Sequence, residues 1–96
     1  MALAVGVGSV QLLLAGSHSL KDKRRVVRSI VARLRRRFNV SVAEIGELDN
    51  WQAAMLCVTT VSNDAGYAQA VISKAVEWLS EERLDVEIGD ISIQVW

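Results

Sequence analysis

Proline is absent from this 96-residue chain, cysteine and histidine occur once each, and only five residues are aromatic. A single cysteine excludes an internal disulfide framework and fits a reducing cytosol. With no proline, no low-complexity stretch and no linker, nothing divides the chain, and its length suits one domain over residues 1–96. No apolar run approaches the roughly 20 residues that cross a bilayer, so no membrane contact is expected. The opening MALAVGVGSVQLLLAG lacks the basic start of a secretory signal, and glycine and serine interrupt its apolar stretch. It reads as a strand, and the protein as cytoplasmic. Just over half of the residues are apolar, enough for a real core.

Net charge is missing too: eleven Lys and Arg balance eleven Asp and Glu. The zero conceals a strong asymmetry. From Lys21 to Arg37 there are nine basic residues against one acid, Asp22, a balance of +8. The rest of the chain sets Lys74 and Arg83 against ten acids, a balance of −8. The total suggests no charged partner, whereas its distribution suggests one.

Periodicity organises the chain. Val10, Leu12 and Leu14 alternate like a strand, and AGSHS follows as a turn with Ser19 placed to cap a helix. Val27, Ile30, Val31, Leu34 and Phe38 then form one helical stripe, extended backwards by Leu20 and ended at Asn39. VSVAEIGEL and WQAAMLCVTTVS are strand-like, with Asp49 and Asn50 as the hairpin turn. Ser62, Asn63 and Asp64 offer caps for a second helix with the stripe Ala68, Val71, Ile72, Ala75 and Leu79. In the last run, DVEIGDISIQVW, the alternation changes phase at Gly89-Asp90, which predicts a bulge.

The order is βαββαβ. Two right-handed crossovers with a hairpin between them predict a four-stranded antiparallel sheet, order 4-1-3-2, with both helices on one face: a ferredoxin-like sandwich of the α+β class. Ala54, Leu56, Val58 and Thr60 should face the helices, and Met55, Cys57 and Thr59 the open side, although the opposite phase of that strand is possible.

The residues SLKDKRRVVRSIVARLRRRFNVSVAEI, followed by WQAAMLCVTTVSND, resemble the YlxP-like family of small bacterial proteins, a domain family of unknown function. The resemblance runs from about Val5 to Val95. It implies the ferredoxin-like fold and no established activity, cofactor or catalytic residue. Members of that family are often encoded beside translation factors and ribosome-binding factor A, an association that favours RNA or the ribosome as partner.

The basic helix is the main candidate site. At 100° per residue, Lys21, Arg24, Arg25, Arg28, Arg33, Arg35, Arg36 and Arg37 spread over the surface left by the apolar stripe, and only Lys23 falls within it. A solvated helix ordinarily mixes signs to gain i,i+4 pairs of about 0.2–0.5 kcal/mol. Here Lys21 with Arg25, Arg24 with Arg28, and Arg33 with Arg37 are like-charged neighbours. The predominance of arginine suits bidentate contact with phosphate, which makes these eight a candidate polyanion surface. The blander alternative is internal pairing with acids such as Glu44 and Glu47, or a merely solvated basic face.

On the open side Leu13, Met55, Cys57 and Trp96 are expected to form an apolar patch and the interface of a homodimer. The third strand carries no aromatic, so stacking of bases there is not expected. Other readings are weaker. His18 has no evident Asp or Cys partner. Cys57 has no paired histidine and reads as a packed or interface thiol. Glu44, Glu47 and Asp49 read as hairpin acids, and no metal site or cofactor is expected. Gly6-x-Gly8 lacks the third glycine of a dinucleotide fingerprint and does not open a helix. No constellation supports an enzyme. The expected function is that of a non-enzymatic accessory protein binding RNA or the ribosome through its arginine helix. The alternative is a homodimeric interaction module whose basic helix meets an acidic protein.

Overall fold

Ser19 begins the first helix as expected: its backbone is extended (φ −163°, ψ 165°) and its Oγ accepts the Asp22 N–H at 3.0 Å. This is a computed structural model, which describes residues 2–82 and 86–96. Arg83 and Asp85, counted in the charge balance and the last run, lie outside these, as does Met1. The elements are β1 (Ala4–Leu13), α1 (Leu20–Arg37), β2 (Ser41–Gly46), β3 (Ala53–Ser62), α2 (Ala65–Glu81) and β4 (Glu87–Val95). The first helix ends before Asn39: Phe38 is extended at its C-cap, and the Phe38 N–H closes onto the Leu34 carbonyl at 2.9 Å. Asp64 caps α2, its carboxylate accepting the Tyr67 N–H at 2.9 Å.

The strands form one antiparallel sheet in the order β2-β3-β1-β4, which is 4-1-3-2 read from the other edge. With two helices, this is the ferredoxin-like arrangement. Both central strands alternate cleanly. Val10, Leu12, Leu56 and Val58 are fully buried toward the helices, while Gln11, Leu13, Met55 and Cys57 on the other side are half-buried. Strand three therefore takes the phase that points Ala54 and Thr60 inward. From α1 come Val27, Ile30 and Leu34, and from α2 Ala68, Ile72, Ala75, Val76 and Leu79. Val76 takes the buried place expected of Val71, which is half-buried.

Each outer strand carries one irregularity. On β4, Ile88 opposes Leu12 and Ile91 opposes Val10, so Gly89 and Asp90 together oppose Gln11, whose Oε1 accepts the Asp90 N–H at 3.3 Å. This is the expected bulge. On β2 the register shifts between Glu44 and Gly46. Beyond it Glu47 adopts a left-handed backbone, φ 61°, where the hairpin turns.

Candidate functional site

The outward surface of α1 is basic over its whole length. Lys21, Arg24, Arg25, Arg28, Arg35, Arg36 and Arg37 are exposed and Arg33 is half-buried. Two of the eight have internal uses. The Arg25 guanidinium lies 3.8 Å from Asp22 Oδ1, but both side chains are open to solvent, so the pair contributes little. Arg35 donates from Nη2 to the Val42 carbonyl at 2.9 Å, covering a backbone acceptor on the outer strand β2. For Lys21, Arg24, Arg28, Arg33, Arg36 and Arg37, no carboxylate lies within 4.0 Å among the described residues. Arg35, Arg36 and Arg37 occupy the last turn, where the helix dipole favours cations by about 0.3–1 kcal/mol each.

The exception in the stripe, Lys23, has a different fate. It is 1% exposed. Its Nζ donates to the carbonyls of Glu47 at 2.8 Å, Ala53 at 3.2 Å and Leu48 at 3.3 Å, and lies 3.0 Å from Glu44 Oε2. An ammonium has three hydrogens, and the carbonyls take all three. Glu44 Oε2 makes no hydrogen bond of its own and is held by charge. The ammonium thus sits among four oxygens at the base of the β2–β3 hairpin. Glu44 is drawn to the helix, as the internal-pairing alternative anticipated, but to the one cation that does not face solvent. The signal that marks Lys23 is its place inside an otherwise apolar stripe.

Near the end of α1, Arg33, Arg36 and Arg37 line a shallow recess with Trp78 and Glu82. The Trp78 ring stands edge-on to Phe38, with centroids 6.3 Å apart and planes at 70°. The basic surface therefore has an aromatic border at its C-terminal end, and an acid at its far rim.

The open face of the sheet does not gather the four expected interface residues. Met55 opposes Gln11 and so is a diagonal neighbour of Leu13, while Cys57 opposes Ser9, four residues from Leu13 and about 13 Å farther along the strand. Trp96 pairs with Val5, each N–H donating to the other's carbonyl at 2.8 Å. Val5 is eight residues from Leu13 along β1, about 26 Å at roughly 3.3 Å per residue. Ser9, Gln11, Ser92 and Gln94 occupy the ground between. Trp96 is 72% exposed, and its apolar company is Val5 and Val61 instead.

Of the remaining candidates, His18 is exposed, and its backbone N–H donates to Asp22 Oδ2 at 3.2 Å. Glu47 and Asp49 are exposed while Glu44 is turned to Lys23, and the described residues hold no group of three His, Cys, Asp or Glu placed to bind a metal ion. Among those residues no helix is long and apolar enough to cross a membrane. Gly6 and Gly8 lie where α2 crosses β1. A Cβ on Gly6 would stand 2.8 Å from Ile72 Cγ1 and 2.9 Å from the Ala68 carbonyl oxygen. Close packing of helix on strand accounts for the pair.

Comparison with known proteins bears on the whole chain rather than on any site. The family described as "Protein of unknown function (DUF503)" matches residues 5–93. The uncharacterized protein YlxP of Bacillus subtilis (strain 168) is 28% identical over 75 residues, which are 78% of this chain and 82% of that one. Among solved structures, the de novo designed protein Foldit4 aligns with a TM-score of 0.53 at 12% identity, covering 97% of this chain and 96% of its own. That likeness concerns the fold alone.

Proposed function

The chain belongs to the DUF503 family, proteins of unknown function, and from its own surface we propose that it is a non-enzymatic accessory protein that binds RNA, on or off the ribosome, through α1. One observation carries the reading: six outward cations of a single helix have no carboxylate within 4.0 Å among the described residues. Like charges one turn apart each cost a few tenths of a kcal/mol, and an anion laid along them removes that cost. A phosphate backbone supplies such anions in series, and a guanidinium meets each phosphate through two parallel N–H bonds. The open face, without aromatics on β1 or β3, offers no platform for reading bases, so the binding is governed by the backbone and by salt.

The test removes charge where nothing internal depends on it. Arg24, Arg28 and Arg36 are exposed and, among the described residues, have no carboxylate within 4.0 Å. Changing all three to glutamine keeps helix propensity nearly unchanged and relieves the Arg24–Arg28 repulsion. Thermal stability should stay level or rise slightly. Affinity for a labelled single-stranded RNA, followed by anisotropy across a salt series, should fall. The slope of log K against log salt should become shallower by about 0.7 per lost contact, roughly 2 units in all. Equal binding by parent and variant, or no binding by the parent, removes the reading. Polyglutamate that competes as well as RNA would redirect it to an acidic protein partner.

A further inference from the structure

The two outer strands of the sheet are treated differently. On β2 the edge is bulged between Glu44 and Gly46, and Arg35 covers the Val42 carbonyl. On β4 the bulge at Gly89-Asp90 leaves the following five residues, Ile91 to Val95, in regular register with β1. That stretch, ISIQV, contains no lysine, arginine, proline or acid. Charge, proline and bulges are the devices by which proteins keep sheet edges from pairing, and this segment has none of them.

The backbone phase is also informative. Trp96 exchanges hydrogen bonds with Val5, so by antiparallel alternation Gln94 and Ser92 turn their N–H and C=O inward to β1. Ile91, Ile93 and Val95 turn theirs outward. The same three residues oppose Val10, Gly8 and Gly6, and so their side chains lie on the helix side of the sheet. There Ile91 is 46% exposed and Ile93 37% exposed. Outward backbone groups thus fall on three alternate apolar residues, two of them exposed and the third, Val95, half-buried.

We infer that this edge pairs with a second copy of the same chain, Ile91–Val95 running antiparallel to itself about a two-fold axis at Ile93. Antiparallel partners directly opposite each other share a face, so Ile93 meets its own copy and Ile91 meets Val95. The apolar row closes on an apolar row, and Ser92 falls opposite Gln94. The three outward pairs each exchange two backbone hydrogen bonds. Asp90, the nearest charge on the strand, lies at opposite ends of the seam in the two copies, so the carboxylates do not meet. The result is one eight-stranded sheet with all four helices on the same side. The occupant is a second copy because the register, the facing of the side chains and the separation of charge all satisfy themselves under the two-fold. Such pairing is independent of RNA binding, and it puts the dimer contact at the sheet's edge rather than on its open face.

Two measurements on the purified chain test it. Light scattering at high micromolar concentration should give 21 kDa, twice the 10.5 kDa of the chain. Amide exchange should show Ile91, Ile93 and Val95 protected at that concentration and unprotected on dilution, while Ser92 and Gln94 stay protected throughout. Ile93→Lys sets two ammonium groups together in an apolar seam and should weaken the dimer by about a hundredfold or more. Protection of Ser92 and Gln94 in that variant shows that the fold survives. If lysine is not tolerated, Ile93→Thr keeps strand propensity and should still weaken association severalfold. Met55→Lys, on the open face, should change neither mass nor protection. A parent of one protomer's mass overturns the inference, as does a dimer whose Ile91, Ile93 and Val95 amides exchange freely. Dissociation by Met55→Lys but not by Ile93→Lys overturns it equally.

Discussion

Lys23→Met should lower the unfolding free energy by about 3 kcal/mol, the lower end of the cost of taking one partner from a buried ion pair, because the Glu44 side chain left behind is 21% exposed. For a domain this small, about 4–8 °C accompanies each kcal/mol, so the midpoint should drop by at least roughly 12 °C. Methionine matches lysine in helix propensity and follows its side chain as far as Cε, so the loss would come from the ammonium and not from the helix. What it strands is specific. Glu44 loses its only countercharge among the described residues, and the carbonyls of Glu47, Leu48 and Ala53 lose a shared donor. Glu47 keeps the Asn50 N–H at 3.0 Å, which softens one of the three losses. Adding Glu44→Leu to Lys23→Met should recover part of the stability, because it removes the stranded charge but not the unmet carbonyls. Urea unfolding of the two single variants and the double variant would apportion the terms. A loss below about 1 kcal/mol for Lys23→Met would mean that water replaces the ammonium without penalty, and the buried pair would then not hold the hairpin.

Gly6→Val should be nearly as damaging. The first added carbon already comes within 2.9 Å of the Ala68 backbone oxygen, and backbone cannot rotate away as a side chain can. Overpacking a filled core costs about 1–3 kcal/mol, and a β-branched side chain that displaces a helix belongs at the upper end or beyond. Gly8 offers an internal comparison. Its Cβ would meet Ile72 Cγ2 at 2.7 Å and no backbone closer than the Ser92 oxygen at 3.9 Å. Gly8→Ala should therefore cost less than Gly6→Ala, by about 1 kcal/mol, since the Ile72 methyl can give by a small shift more readily than the Ala68 backbone can. Chemical denaturation of the two alanine variants decides it, and an equal or reversed ranking would contradict the packing of α2 on β1 described above.

The features legible in the sequence are those whose causes are local. Ser19 and Asp64 announce helix starts because a cap bonds a backbone group two or three residues on. The bulge at Gly89-Asp90 shows as a phase change within a few residues of one strand. The outward spread of the α1 arginines follows from 100° per residue alone. What stays hidden depends on distant chain. Lys23 meets carbonyls 24, 25 and 30 residues away, which only the finished hairpin brings to it. Parity puts Leu13 and Trp96 on the same face, but their separation along it depends on strand register, and that depends in turn on a bulge. Gly6-x-Gly8 could be excluded as a nucleotide motif by its spacing, whereas its purpose requires the position of α2. Arg35 looks like its neighbours in the sequence and differs only because a carbonyl of β2 lies beneath it.

The loop between β2 and β3 presents a deceptive surface to anyone engineering this protein. Leu48, Asp49, Asn50, Trp51 and Gln52 are all exposed, the usual invitation to insert an epitope, a fluorophore site or a second domain. Yet the peptide oxygens of Glu47, Leu48 and Ala53 form the inner lining of the same loop, converging on one nitrogen from the first turn of α1. Lengthening the loop would spread these oxygens apart even if every inserted side chain pointed to water. Apart from Asn50, whose Oδ1 accepts the Gln52 N–H at 2.9 Å, the side chains of the loop are expendable, but its length is not.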